Sequence, residues 1–146
     1  MKQLPEEPAR RDIKYPPPPE GEGVYWNSGE SGPVDRYIHA MSSEVQIVLC
    51  TVPDRETANT ISNALVAEQL AACVNIIPGI TSVYRWKGVV EKDDELLLLI
   101  KAAVSSWPRL EQRIQALHPY ELPEIIAVPI QTGQKDYIQW IIDSLN

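Results

Sequence analysis

From Glu44 to the C-terminus, apolar runs of two different periods follow one another in an order that few folds accept. Val45 to Val52 is β-branched and apolar, the composition of a buried strand. Pro53-Asp54 then opens a helix with Asp54 as its N-cap; Ala58, Ile61 and Leu65 recur at helical spacing, and Ala64, Ala67 and Ala71 widen that stripe. Ala72 to Ile77 reads as strand, Pro78-Gly79 bends the chain, and Thr81 to Trp86 continues extended. Lys87-Gly88 is a turn signal that sends the chain back through Val89 to Val104 as the partner of a long hairpin. Ser106 caps a second helix, with Pro108 tolerated in the first turn and Leu110, Ile114 and Leu117 on the buried face. That helix must stop before Pro119, because the residue preceding a proline is pushed out of helical geometry. Glu124 to Ile130 is a fourth strand, where Pro129 marks an edge or an end. A last helix carries Ile138, Ile141, Ile142 and Leu145 on one face.

The order β-α-β-β-α-β-α is an α+β plan built on a split βαβ pair, the ferredoxin-like arrangement. It predicts a four-stranded antiparallel sheet in the order 4-1-3-2, with both main helices on one face and the last helix an addition. This topology makes a statement about chemistry. Strand one ends where the second helix ends and where the fourth strand begins. Cys50, His118, Glu121 and Glu124 therefore share one end of the domain. Sulfur, imidazole and carboxylate converging there exceed what a helix stop needs. Plainer roles exist for each residue: Cys50 and Cys73 as small buried hydrophobes, His118 on the last carbonyls of its helix, and Asp93-Asp94-Glu95 as a solvated hairpin feature.

The first 42 residues have a different character, with Pro16-Pro17-Pro18-Pro19 followed by Gly21, Gly23, Gly29 and Gly32. Such a segment buries too little apolar area to offset its ordering entropy, which predicts a flexible extension with a polyproline II stretch, 1–42, ahead of a compact domain, 43–146. Within it, Val24-Tyr25-Trp26 and Arg36-Tyr37-Ile38-His39 are the stretches able to settle on the domain, and Met41 is a candidate natural start.

A formal net charge of −7 with no basic stripe argues against nucleic acid as a partner. No apolar run approaches the roughly 20 residues a membrane span needs, and no apolar secretory segment stands at the N-terminus. Two cysteines in strand-like surroundings make no disulfide framework. These features point to a cytoplasmic setting. With one histidine in the compact domain and no CxxC, HExxH or glycine-rich phosphate loop, the chain offers no base–nucleophile pair and reads as a non-enzyme.

Several spaced motifs occur together in the domain: Val48-Leu49-Cys50-Thr51, Leu70-Ala71-Ala72-Cys73-Val74-Asn75, Tyr84-Arg85-Trp86-Lys87-Gly88, Leu99-Ile100-Lys101, His118-Pro119-Tyr120-Glu121-Leu122-Pro123-Glu124 and Asp136-Tyr137-Ile138-Gln139-Trp140. In this order they resemble the CutA family of divalent-cation tolerance proteins, over residues 44 to 146. The resemblance implies a cytoplasmic, very stable homotrimer of ferredoxin-like subunits, similar in architecture to P-II signalling proteins, that binds copper or other divalent ions. Trimerisation would also protect the exposed edges of the long hairpin. Carried over by motif, the copper ligands are Cys50 and His118; the neighbouring Glu121 or Glu124 is then expected to complete the shell, and soft sulfur with imidazole suits Cu(I), Cu(II) or Zn. Some members have a second histidine where this chain has Leu117, which removes one imidazole. A second reading is a small-ligand sensor or adaptor whose inter-subunit clefts are lined by Tyr84, Trp86, Lys101, Glu124 and Tyr137.

Overall fold

In the computed structural model, which describes residues 33–145, the chain runs α1 (Pro33–Ser42), β1 (Val45–Val52), α2 (Arg55–Ala67), β2 (Cys73–Trp86), β3 (Val89–Ala103), α3 (Trp107–Leu117), β4 (Ile126–Pro129) and α4 (Lys135–Asp143). The strands form one antiparallel sheet in the order β2-β3-β1-β4, which is 4-1-3-2 counted from the opposite edge. Strand alternation sends Val48, Cys50 and Val52 of β1 and Leu98, Ile100 and Ala102 of β3 to one face. There they meet Ala58, Ile61 and Leu65 of α2 and Leu110 and Ile114 of α3 in the main core. Each fully buried Leu or Ile in this layer contributes about 1.5–3 kcal/mol by leaving water. The opposite face carries Ile47, Leu49, Leu97 and Leu99, which stay half-buried, with Ile77, Ile126 and Val128 exposed beside them.

Local chemistry sets the element ends. The Asp54 carboxylate accepts the Thr57 N–H at 2.8 Å and caps α2, and those hydrogen bonds hold its carboxyl below the usual range. Lys87 and Gly88 both take positive φ, 48° and 83°, the geometry of a tight turn whose twist matches the flanking strands. The strand expected from Ala72 and the stretch after Pro78-Gly79 form the single β2, whose register shifts between Ile77 and Ile80. β2 and β3 stay paired out to Trp86 and Val89, whereas β1 accompanies β3 only from Leu96 to Ala103. The far half of the hairpin is a two-stranded arm.

Three elements differ from the sequence reading. Residues 33–42, expected to be flexible, are helix α1, and Met41 joins Val45, Ile138 and Ile141 in a second apolar cluster beneath α4. The Ser42 hydroxyl donates to the Gln131 carbonyl at 2.7 Å, tying that helix end to the chain after β4. The expectations for the proline run and for Val24-Tyr25-Trp26 lie outside the described residues. Ser106 stands at the N-cap of α3 but makes no capping bond; its hydroxyl donates to the Ala103 carbonyl at 2.8 Å, across a short 3-10 turn. β4 is shorter than 124–130, pairing with β1 only from Ile126 to Pro129, so Glu124 lies on the loop before it.

Candidate functional site

Two clusters of polar and titratable side chains occupy opposite ends of the sheet. At the end where β1 finishes, α3 delivers His118 against Thr51. The His118 Nε2 stands 2.8 Å from the Thr51 carbonyl, and its Nδ1 lies 3.1 Å from the Tyr120 N–H. A carbonyl can only accept and an amide N–H can only donate, so Nε2 carries the ring proton and Nδ1 is the acceptor. Both ring nitrogens are engaged within the fold. The Cys50 thiol donates to the same Thr51 carbonyl at 3.7 Å and is completely buried. Burial, with the carboxylates of Glu124 and Glu95 nearby, pushes the Cys50 thiol up to about 12.

Glu95 completes this end. It is 7% exposed and accepts the Tyr120 hydroxyl at 3.1 Å, while the Tyr120 ring sits 4.8 Å from the imidazole. Burial and the Glu95 carboxylate raise the Tyr120 phenol. Farther along the arm Tyr84 hydrogen-bonds Asp93, which raises its phenol to about 12. The sequence reading took Asp93-Asp94-Glu95 as solvated; that holds for Asp93 and Asp94, whereas Glu95 turns inward. The signal that could have found it is its position just before the apolar run Leu96 to Ile100, where the hairpin enters the four-stranded sheet.

At the other end, β2 begins at Cys73, which pairs across the sheet with Lys101 of β3. The Lys101 Nζ lies 3.9 Å from the Cys73 sulfur and hydrogen-bonds the Asn75 side chain. Tyr137 of α4 reaches the same sulfur; burial, the charge of Cys73 and a hydrogen bond to it raise the phenol. Tyr137 stacks on Trp140 at 5.6 Å, and both rings are exposed.

The structure thus gathers Cys50, His118 and Glu124 at one end, while Glu121 is exposed on the loop. Among the described residues no group of three or more His, Cys, Asp or Glu side chains is placed to hold an ion. An imidazole with both nitrogens engaged by its own chain does not fit a resident metal within one chain. The cleft residues also separate. Lys101 and Tyr137 meet at Cys73, whereas Tyr84 pairs with Glu91, ten positions from Lys101 along β3, about 33 Å away. Trp86 lies farther still, at the arm's tip.

A four-stranded antiparallel sheet, helices α2 and α3 on one face and two polar ends define an α+β domain whose counterparts are known. The family model described as CutA1 divalent ion tolerance protein matches residues 46–144. The chain belongs to this family. It is 55% identical over 96 residues to the divalent-cation tolerance protein CutA of Thermus thermophilus, covering 66% of this chain and 93% of that protein. It is 44% identical to human protein CutA over 66% of this chain, and spans 54% of that relative's length, as it does for the chloroplastic protein CutA of Arabidopsis thaliana. Among solved structures, the divalent cation tolerance protein from Thermus thermophilus superposes with TM-score 0.69 at 52% identity, covering 70% of this chain and 99% of that one. CutA1 from Oryza sativa superposes with TM-score 0.70 at 40% identity, covering 73% and 97%. Among the described residues no helix is long and apolar enough to cross a membrane.

Proposed function

We propose that this chain serves divalent-cation tolerance as a cytoplasmic homotrimer of ferredoxin-like subunits, and that it meets the ions, copper among them, as transient ligands. Cys50, His118, Glu121 and Glu124 are then a structural cluster with outlying carboxylates, not a resident copper centre. The observation that carries this reading is the pairing of a family match over residues 46–144 with a sheet face left open. Ile47, Leu49, Leu97 and Leu99 are half-buried and Ile77, Ile126 and Val128 exposed on that face, an apolar layer that a second and third copy would cover. The occupied imidazole supports the second half of the reading.

Three experiments test the two halves. Native mass spectrometry should give a mass three times the 16.4 kDa chain, and expression in cells lacking their own relative should restore growth under copper(II) stress. A monomer, or growth no better than the empty vector, would remove the reading. Copper titration of wild type, Cys50→Ala and His118→Ala should give superimposable isotherms. Loss of one stoichiometric site in either variant would establish the resident centre instead.

A further inference from the structure

Covering the open face of the four-stranded sheet leaves the far half of the hairpin without a partner. On the tip side of Leu96 the β2–β3 arm has no third strand, and a two-stranded hairpin standing in water is marginal by itself. It nevertheless shows Val83, Tyr84, Trp86, Val89 and Val90 to solvent, each between 37% and 66% exposed. Residues directly opposite one another share a face, and neighbours along a strand alternate, so register sorts these side chains onto two unlike surfaces. Tyr84, opposite Glu91, lies with Trp86, Val89 and Asp93 on a face that is aromatic and acidic, and the Tyr84 hydroxyl bonds Asp93. Val83, opposite Lys92, lies with Arg85 and Val90 on a face that is aliphatic and basic. One ion of the other sign stands at an end of each. Lys87 lies 5.6 Å from the Trp86 ring at the arm's tip, and Asp94 accepts the Thr81 hydroxyl at 3.3 Å at the base of the basic face.

We propose that the arm is a docking surface for a second copy of this chain, joined through unlike faces. The Val83–Val90 face of one copy lies on the Tyr84–Trp86 face of the next, with Arg85 and Lys92 opposite Glu91 and Asp93. The spacing of the charges supports this pairing. Glu91 and Asp93 are two positions apart on one strand, and Arg85 and Lys92 are diagonal neighbours across the strand pair, a separation of about 7 Å in both cases. Contact between like faces would set carboxylate against carboxylate, or ammonium against guanidinium, and would stop at a two-fold pair. Contact between unlike faces is head-to-tail and closes into a ring when every copy uses both. The inference rests on the homotrimer proposed above and adds to it the surface that joins the arms, which is separate from the open face of the four-stranded sheet.

Subunit exchange in the full chain tests this contact. Wild type and each variant are mixed with their own ¹⁵N-labelled form, and mixed trimers are followed by native mass spectrometry. Arg85→Glu with Lys92→Glu makes both faces acidic and should speed exchange about tenfold. Glu91→Lys with Asp93→Lys makes both faces basic and should act in the same direction. All four changes in one chain swap the signs of the two faces and should return exchange to within about twofold of wild type, a recovery that damage to the arm's own fold would not give. The two double variants, mixed with each other, should form more mixed trimers than random assortment gives. A monomeric wild type would remove the trimer, and this inference with it. A trimeric wild type whose exchange is unmoved by either double change, or is not restored by all four, would overturn the arm contact alone.

Discussion

The two ends of this sheet use similar residues and reach opposite states. Each places a cysteine beside a tyrosine and a charged side chain. At the Cys50 end the charges are Glu95 and Glu124, the sulfur is completely buried, and every polar atom of the His118 ring is satisfied within the fold. At the Cys73 end the charge is Lys101, the strand is an edge, and the aromatic pair is exposed. Residue type does not decide what a thiol does; burial and the sign of the neighbouring charge do.

The largest test of this contrast is alkaline pH. The folded Cys50 thiol is raised from 9.0 to about 12, so its protonated form favours the native state fully below pH 9, and that contribution disappears as pH rises from 9 to 12. At roughly 1.4 kcal/mol per unit, the loss across that window is about 4 kcal/mol. Tyr120, also raised, adds a loss of the same sign above its ordinary value of 10.0. Urea denaturation at a series of pH values should show the decline, and Cys50→Ala should flatten the part belonging to the thiol. An equal decline in the variant would mean that Cys50 is not the group titrating.

Next in size, His118→Ala should cost about 2–3 kcal/mol, because it strands the Tyr120 N–H and takes one donor from the Thr51 carbonyl. Glu95→Gln should cost about 1 kcal/mol by weakening a charge-assisted bond from Tyr120, and it should lower the Cys50 thiol, seen as earlier thiolate absorbance in an alkaline titration. At the other end Lys101→Gln should move stability by less than about 0.5 kcal/mol in the same denaturation assay. If the Lys101 variant lost as much as the His118 variant, the distinction between a closed and an open end would fail.

Much of this architecture was legible because period and punctuation agreed. The β-branched run Val45–Val52, the helical spacing of Ala58, Ile61 and Leu65, and Lys87-Gly88 between two extended runs each specify one element. Topology then brought Cys50 and His118 to one end without any contact being known. What the sequence did not reveal were decisions made by tertiary contacts. Helix α1 is held by Met41 against Ile138 and Ile141, residues about a hundred positions away, which no local pattern shows. Glu95 turns inward because Tyr120 offers it a hydroxyl from another element. Topology and the family motif made Cys50 and His118 look like ligands; the positions of the Thr51 oxygen and the Tyr120 nitrogen show that both imidazole nitrogens are engaged within the chain. Lys101 and Tyr137 belonged together, yet their tie to Cys73 depended on cross-strand register and on where α4 lands.

The state of the His118 ring tests the central claim most directly. The chain has two histidines, so long-range proton–nitrogen spectra of protein carrying ¹⁵N-labelled histidine, assigned with a His39→Ala variant, isolate that one ring. The account predicts a ring proton on Nε2 and a bare Nδ1, unmoved by an equimolar amount of Zn²⁺. A proton on Nδ1, or a ring nitrogen that shifts as the metal is added, would contradict it.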